Sequence, residues 1–291
     1  MTQHLKGLLI TTLGVLILSP DALLVRLANA ETWSILFWRG LLFSFGISLV
    51  IFATYGRTSL RQFINIGKAG ILLGVLFGLS TTFFVTAVQY TSIANALVII
   101  STSPVFAALI SWIFLKERTP LLTWITMFII IGAMTLIMLD SYHSGGFWGD
   151  ISALVTSLFL AINFTITRQA KHINMVPAMA IAGLITALIA AFMILLSSSP
   201  LWLPPNALPY VLGMGVITTL AFSLITLGPR YMPAAEVGMI MPLETVFGAY
   251  LAWLFIGEIP SSEVMIGGTV ILMALMLHAW LTHRKHPPHK A

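Results

Sequence analysis

The feature that most constrains this chain is a series of apolar runs, each about twenty residues long and nearly free of charge. A helix rises about 1.5 Å per residue, so a run of roughly 20 residues crosses the hydrocarbon core of a bilayer. The runs lie at residues 5–28, 33–54, 68–90, 93–115, 121–140, 147–167, 176–197, 206–229, 235–256 and 261–282. The sequence therefore predicts an all-α membrane protein with ten transmembrane helices.

Composition excludes a water-soluble fold. Hydrophobic residues make up 58% of the 291 residues and charged residues only 8%, against about 25% charged in a typical soluble domain. The net charge of +5 is scattered between the apolar runs, whereas a nucleic-acid site needs basic residues clustered on one face. We therefore expect a lipid bilayer and a small-molecule substrate as partners, and no nucleic acid.

The amino terminus allows two interpretations. Lys6, an apolar run and Ala28-Asn29-Ala30 resemble a cleavable signal peptide. Pro20, Asp21 and Arg26 instead make the segment before that cleavage site long and charged. We favour a retained first transmembrane helix, because the repeat described next requires it.

The chain repeats itself in two halves. A shift of 141 residues places Tyr90 on Tyr231, Ala94 on Ala235, Val105-Phe106 on Val246-Phe247, Ala108 on Ala249, Trp112 on Trp253 and Glu117 on Glu258. Near the start of each half, a shift of 142 places Gly7 on Gly149 and Arg26 on Arg168. The predicted units are residues 1–142 and 143–291, each with five transmembrane helices and the second with a short basic tail.

An odd number of helices per half requires the second half to enter the membrane from the opposite side, which is the inverted architecture of many secondary transporters. Charge supports it independently. With both termini in the cytoplasm, twelve of the fourteen basic residues lie inside, as the positive-inside rule expects. The exceptions are Arg26 at an outer helix end and Arg39 within the second helix.

Short motifs recur at equivalent places in the halves. Pro104-Val105-Phe106 precedes Lys116-Glu117-Arg118, and Glu244-Thr245-Val246-Phe247 precedes Gly257-Glu258. With ten helices in inverted halves, this chain resembles the EamA-type drug/metabolite transporters over nearly its whole length. The resemblance implies cytoplasmic termini, a central cavity between the halves, and export of amino acids or other metabolites. The chain departs from the family where Thr245 replaces a frequent proline and Pro242 comes earlier.

Three prolines inside the predicted helices, Pro20, Pro104 and Pro242, are hinge candidates. Each proline removes a backbone hydrogen-bond donor and frees the carbonyl group of the residue four positions earlier. The freed carbonyl groups are those of Leu16, Ile100 and Gly238, respectively. A freed carbonyl at membrane depth can bind substrate or let a helix bend. The alternative is a static kink satisfied by neighbouring hydroxyls.

Ionisable residues inside a membrane usually face a cavity or a partner, because each costs roughly 2.5 to 3.5 kcal/mol at a helix centre on insertion scales. Asp21 and Arg39 each lie about 10 Å deep from the same side, so we expect them to interact. This pair is either a structural ion pair or a substrate and gating site.

Glu244 lies roughly 13 Å from the cytoplasmic start of its predicted helix, where the sequence offers no basic partner. It therefore either stays hydrated in a cavity, where it can bind substrate or exchange protons, or is protonated and hydrogen-bonded to a neighbouring helix. The other binding candidates are Asn163, Trp38 and Pro104. Asn163 aligns with Asp21, and Trp38 can stack on an aromatic ligand.

These features favour a secondary transporter that exports amino acids or related small metabolites and drugs from the cytoplasm across the inner membrane by alternating access. The alternatives are a membrane-embedded enzyme and a non-transporting assembly subunit. The oligomeric state is left open, with a homodimer as one arrangement.

The helices offer no convergent His and carboxylate set and no Gly-rich phosphate loop. We expect neither enzymatic activity, nor a cofactor, nor a metal site. The histidines of the tail at 283–289 have no fixed geometry.

Overall fold

The computed structural model describes residues 3–115, 121–170, 172–228, 231 and 240–285. The helices are α1 Gln3–Leu18, α2 Asp21–Ala28, α3 Thr32–Tyr55, α4 Ser59–Asn65, α5 Gly67–Tyr90, α6 Ile93–Ile100, α7 Ser103–Leu115, α8 Leu121–Ser144, α9 Phe147–Gln169, α10 Val176–Ser197, α11 Leu208–Ile225, α12 Pro242–Ile256 and α13 Ser262–Lys285. We call the end of the bundle where α1 begins and α13 ends the termini end, and the other end the far end.

The described helices account for about ten membrane crossings, as predicted. Eight helical segments are long and apolar enough to cross a bilayer, and two shorter apolar helices, Pro242–Ile256 and Ser262–His278, follow them. Observed bounds agree with the predicted runs to within a few residues, and the first run forms α1 and α2. The predicted start of the ninth run at residue 235 and the tail beyond 285 lie outside the described residues.

Two predicted crossings are interrupted near a proline. The first divides into α1 and α2 at Ser19-Pro20, and the fourth divides into α6 and α7 at Ser101-Thr102, just before Pro104. A proline fits the first turn of a helix because the amide there has no intrahelical partner. Pro242 likewise begins α12. The prolines therefore start new helical segments instead of bending continuous ones.

The packing between the halves is pairwise symmetrical. The second helix of one half, α3, packs on that of the other half, α10, and the fifth helices, α8 and α13, also pack on each other. The third helix α5 contacts α9, the first helix of the second half, while α11 makes the matching contact with α1 and α2. Such reciprocity is what a two-fold axis between duplicated halves produces.

Small residues allow the central helices to approach closely. A methyl group built on Gly40 of α3 would lie 2.6 Å from the carbonyl oxygen of Gly183 on α10, and one on Gly183 would lie 2.6 Å from that of Gly40. In lipid, where burial of apolar surface drives no helix association, such close backbone packing holds helices together. The central crossing is thus fixed by glycine on both sides.

Gly40→Ala should lower the free energy of unfolding by about 1 to 3 kcal/mol, because the added methyl group meets backbone that cannot move aside. The matched control is Gly132→Ala on α8, where no atom lies within 4 Å of the added carbon. There, the better helix propensity of alanine should leave stability unchanged or slightly higher. Thermal unfolding in detergent micelles measures both, and equal melting temperatures would contradict the close crossing.

Candidate functional site

A cavity lies between the two halves. It offers about 120 Å³ to the centres of water-sized molecules, where one water needs roughly 10 to 15 Å³. Its polar lining comprises Asp21, Arg39, Ser80, Thr81, Ser101, Ser103, Thr156, Asn163, Thr167, Thr226, Glu244 and Thr245. The cavity therefore has room for several waters or for part of a small solute.

The cavity is not centred between the two ends of the bundle. It reaches Thr167, Met179 and Thr226, which lie within three residues of the termini ends of α9, α10 and α11. Towards the far end the lining ends at Leu97, four residues from the start of α6, and at Phe84, Asp21 and Arg39, six or seven residues from the far ends of their helices. Within the described residues the cavity therefore extends nearest to the termini end and is closed towards the far end.

Asp21 and Arg39 form a buried ion pair at the closed end of the cavity. Nη2 of Arg39 donates a hydrogen bond to Oδ2 of Asp21 over 2.5 Å, and the residues are 4% and 1% exposed. Asp21 is the first residue of α2, where the helix dipole favours a negative charge. The Arg39 guanidinium also lies 5.4 Å from the ring centre of Phe84, as a cation–π contact. The predicted interaction is confirmed, whereas its role in transport stays a prediction.

Several polar atoms of this pair have no partner among the described residues. They are Oδ1 of Asp21 and both Nε and Nη1 of Arg39. A buried polar atom without a hydrogen bond costs about 1 to 3 kcal/mol, and more when the group is charged. The pair is thus satisfied at one contact only and retains hydrogen-bonding capacity beside the cavity.

Glu244 lies in the first turn of α12 and lines the same cavity. No described residue donates a hydrogen bond to its carboxylate or forms an ion pair with it. Asp21 and Arg39 line the same cavity but pair with each other. Glu244 thus has no basic partner among the described residues, although α3 brings Arg39 to the wall that α12 also lines. Three charged groups share one cavity.

Asn163 of α9 also faces this space. Its Nδ2 donates to the carbonyl oxygen of Phe159 over 2.9 Å, and its Oδ1 has no partner among the described residues. Since Asn163 lies nearer the termini end of its helix than the ion pair does, it gives the open part of the cavity an unoccupied acceptor.

The helix break between α6 and α7 is partly satisfied by neighbouring hydroxyls. Ser157 donates to the carbonyl oxygen of Ile100 over 3.4 Å, and Thr245 donates to that of Leu97 over 3.1 Å. Thr245 aligns with Pro104 under the shift of 141 residues. The hydroxyl that replaces the expected proline thus ties α12 to the broken helix. Pro104 itself does not line the cavity, and Gly238 lies outside the described residues.

Trp38 does not line the cavity either. Its Nε1 donates to the carbonyl oxygen of Leu201 over 2.9 Å, and its ring lies 5.6 Å from that of Trp202 in the far-end loop. Successive residues of a helix point about 100° apart, so Arg39 faces the cavity while Trp38 faces the loop. Depth in the membrane alone was not enough to predict the side of the helix.

Sequence reasoning missed the apolar walls of the cavity. The walls are formed largely by Leu73, Phe77, Phe84, Leu160, Phe164, Met179, Phe222, Ile225 and Met241. Apolar residues are expected throughout a transmembrane helix, so nothing in the sequence separates those that face a cavity from those that face lipid. Packing of the two halves decides this.

The closed end is held by contacts between α2, the turn before α6, and the segment after α12. Nη2 of Arg26 donates to the carbonyl oxygen of Thr91 over 2.5 Å and lies 3.8 Å from Oε2 of Glu258. Oε1 of Glu258 accepts from the amide of Ile93 over 2.5 Å. The Thr91 hydroxyl donates to Oδ1 of Asp150 on α9 over 2.6 Å. We call Arg26, Thr91, Asp150 and Glu258 the far-end network.

The model of the EamA-like transporter family matches residues 5–139 and again residues 147–280. The chain belongs to this family. It is therefore a multi-pass membrane transporter and not an enzyme, as predicted.

Curated relatives agree. The pseudopaline exporter CntI of Pseudomonas aeruginosa is 24% identical over 205 residues, which are 70% of this chain and 72% of the relative. The riboflavin transporter of Vibrio cholerae is 23% identical over 256 residues, which are 84% of this chain and 83% of the relative. One solved crystal structure matches this chain with a TM-score of 0.68 at 16% sequence identity. The match covers 97% of this chain and 99% of the other, so the two proteins share the fold.

Asp21→Asn and Arg39→Gln should each reduce the folded yield, because breaking a buried ion pair leaves an uncompensated charge, at a cost of about 3 to 5 kcal/mol. The exchange of both residues, Asp21→Arg with Arg39→Asp, should recover part of the loss. Fluorescence-detected size-exclusion chromatography measures the yield of each variant. A double exchange no better than the single variants would show that the pair does not stabilise the fold.

Proposed function

We propose that this transporter exports amino acids or related small amphipathic metabolites from the cytoplasm across the inner membrane by alternating access. The observation that carries the proposal is the cavity between the halves, in which Asp21, Arg39 and Glu244 share an otherwise largely apolar wall. A solute with charged and apolar parts complements such a surface, since the partnerless polar atoms of the ion pair can bind its head group.

The charges favour a solute that carries an amino group. Two carboxylates and one guanidinium line the cavity, and Arg39 already donates to Asp21. Glu244 is therefore available for a substrate ammonium group, while Nε and Nη1 of Arg39 can donate to a carboxylate. Phe77, Phe164 and Phe222 would contact the apolar part of the solute.

Orientation supports the direction of transport. If the termini end faces the cytoplasm, as twelve of the fourteen basic residues favour, the cavity lies nearer the cytoplasm than the far side in this conformation. An exporter loads its substrate from that side. The name of the Pseudomonas relative, a pseudopaline exporter, agrees with the direction of export.

Release on the other side requires the far-end network to open. Four segments that line or flank the cavity meet there, so that separating them extends the cavity to the far end. The ion pair and the hydrogen bonds of the network bias the protein towards the state described here, as expected for one of two states in an alternating-access cycle.

Glu244→Gln should lower the rate of amino-acid efflux from proteoliposomes at least tenfold, and should flatten its dependence on pH, because the amide retains the shape of the side chain but neither titrates nor binds an ammonium group. The control is Glu263→Gln at the start of α13, whose carboxylate contacts Ser262 outside the cavity. Near-normal flux with an unchanged pH profile in Glu244→Gln would leave this carboxylate a structural role only. No efflux from wild-type proteoliposomes with any amino acid or amphipathic metabolite would contradict the proposed function itself.

Weakening the far-end network should expose the cavity to the far side. The chain has no cysteine, and Thr81 lines the cavity. A cysteine introduced by Thr81→Cys can therefore be labelled without labelling of any other residue by a thiol reagent. In right-side-out cells a membrane-impermeant maleimide should label it slowly, and adding Glu258→Gln should accelerate labelling severalfold. Adding Glu263→Gln instead should not. Equal labelling in both backgrounds would mean that the network does not close the cavity.

A further inference from the structure

The chain between α3 and α5 forms a corner outside the membrane crossings. Tyr55 ends α3 and Gly67 begins α5, with a short 3₁₀ turn at Gly56–Thr58 and helix α4 between them. Gly56 and Gly67 have positive φ angles of 52° and 57°, a backbone conformation that glycine adopts without steric cost. The two glycines therefore let the chain leave α3, run through α4 at the termini end, and turn into α5.

Helix α4 exposes apolar side chains. Leu60 is 69% exposed and Ile64 is 76% exposed, and residues four apart lie on one helix face. Phe63 packs inwards against the cluster that contains Ile51 and Ile66, so it anchors the helix while Leu60 and Ile64 point away. A short helix at the end of a transmembrane bundle can place such a face at the boundary between head groups and acyl chains.

Three basic residues lie within or next to α4 in the chain. Arg57, Arg61 and Lys68 are exposed, and none forms an ion pair within the described part of the chain. Every acidic residue that the structure describes lies at the far end or within the bundle. The positive charge at this corner is therefore not balanced by the described protein, and it can be balanced by an anion at the membrane surface.

A polar groove is lined in part by residues of α4. It has a volume of about 390 Å³ and is lined by Tyr55, Gln62, Asn65, His172, Ile173 and Asn174. The Asn174 amide donates to the Tyr55 hydroxyl over 3.2 Å, which leaves the Tyr55 proton available to an acceptor. Hydrogen-bonding groups thus line a space at this corner, and Arg57 and Arg61 are close in the chain to the lining residues Tyr55 and Gln62.

We propose that this corner, defined by α4 with Arg57, Lys68 and the adjoining groove, binds an anionic phospholipid. The phosphate lies against Arg57 and Arg61, the polar head group lies in the groove, and the acyl chains run along Leu60 and Ile64. The positive-inside rule accounts for cations at this end, but not for an apolar helix face and a polar groove beside them. A zwitterionic lipid would not balance three cations, and a soluble anion would not use the apolar face.

The test is native mass spectrometry of the full chain, released from nanodiscs that contain either phosphatidylglycerol or phosphatidylcholine. Wild-type protein should retain phosphatidylglycerol preferentially. Arg61→Gln should weaken retention about fivefold, the contribution of one basic side chain near an anionic surface. Ile64→Ser should also weaken it, because the acyl contact is lost.

Lys6→Gln is the matched control, since it removes one positive charge at the same end, away from the groove, where Lys6 lies over the ring of Tyr231. It should leave retention unchanged. Equal loss in Lys6→Gln and Arg61→Gln would overturn the site in favour of a general surface charge. Displacement of the lipid by millimolar inorganic phosphate, with no effect of Ile64→Ser, would overturn it in favour of a soluble anion.

Discussion

The arrangement of this transporter depends on the cost of placing charge in a medium without water. Asp21 and Arg39 each lie seven residues from the far end of their helices, so neither can stay ionised alone at that depth without large cost. Their ion pair fixes α2 against α3, and these helices form the closed end of the cavity. The two exceptions to the charge rule have the same explanation, because Arg26 lies beside Glu258 and Arg39 binds Asp21. Among the described residues, both basic side chains away from the termini end, Arg26 and Arg39, are thus paired.

Much of the fold could be predicted because a bilayer permits few solutions. Backbone groups in lipid must be satisfied within each segment, so an apolar run of sufficient length is a helix, and its bounds follow from turn and charge signals. Only Thr91 and Ser92 separate α5 from α6, yet the hairpin was predictable, because 48 residues cannot form a single crossing. Pairing of Asp21 with Arg39 followed from equal depth and opposite charge.

The sequence was less informative about which side of each helix faces the cavity and which side faces lipid. Trp38 and Arg39 are neighbours at one depth, but only Arg39 faces the cavity. Likewise Phe77 and Phe222 line the cavity, while Phe45 is 69% exposed, and all three are aromatic residues in apolar helices. In a soluble protein a polar face would orient each helix. Here both lipid and core are apolar, so helix rotation is fixed by close contacts such as Gly40 against Gly183.

The duplication accounts for the scaffold but not for the chemistry of the cavity. Helix pairs across the axis are reciprocal, yet the polar residues at matching positions differ. Asp21 aligns with Asn163, and Glu244 aligns with Ser103. All four line the cavity, but each carboxylate has a neutral counterpart. A symmetrical scaffold lets the two halves exchange roles as the cavity opens to either side. An asymmetric set of charges lets that cavity bind an asymmetric solute in one orientation. Alternating access thus requires the two halves to be similar in fold, whereas substrate binding requires their cavity residues to differ.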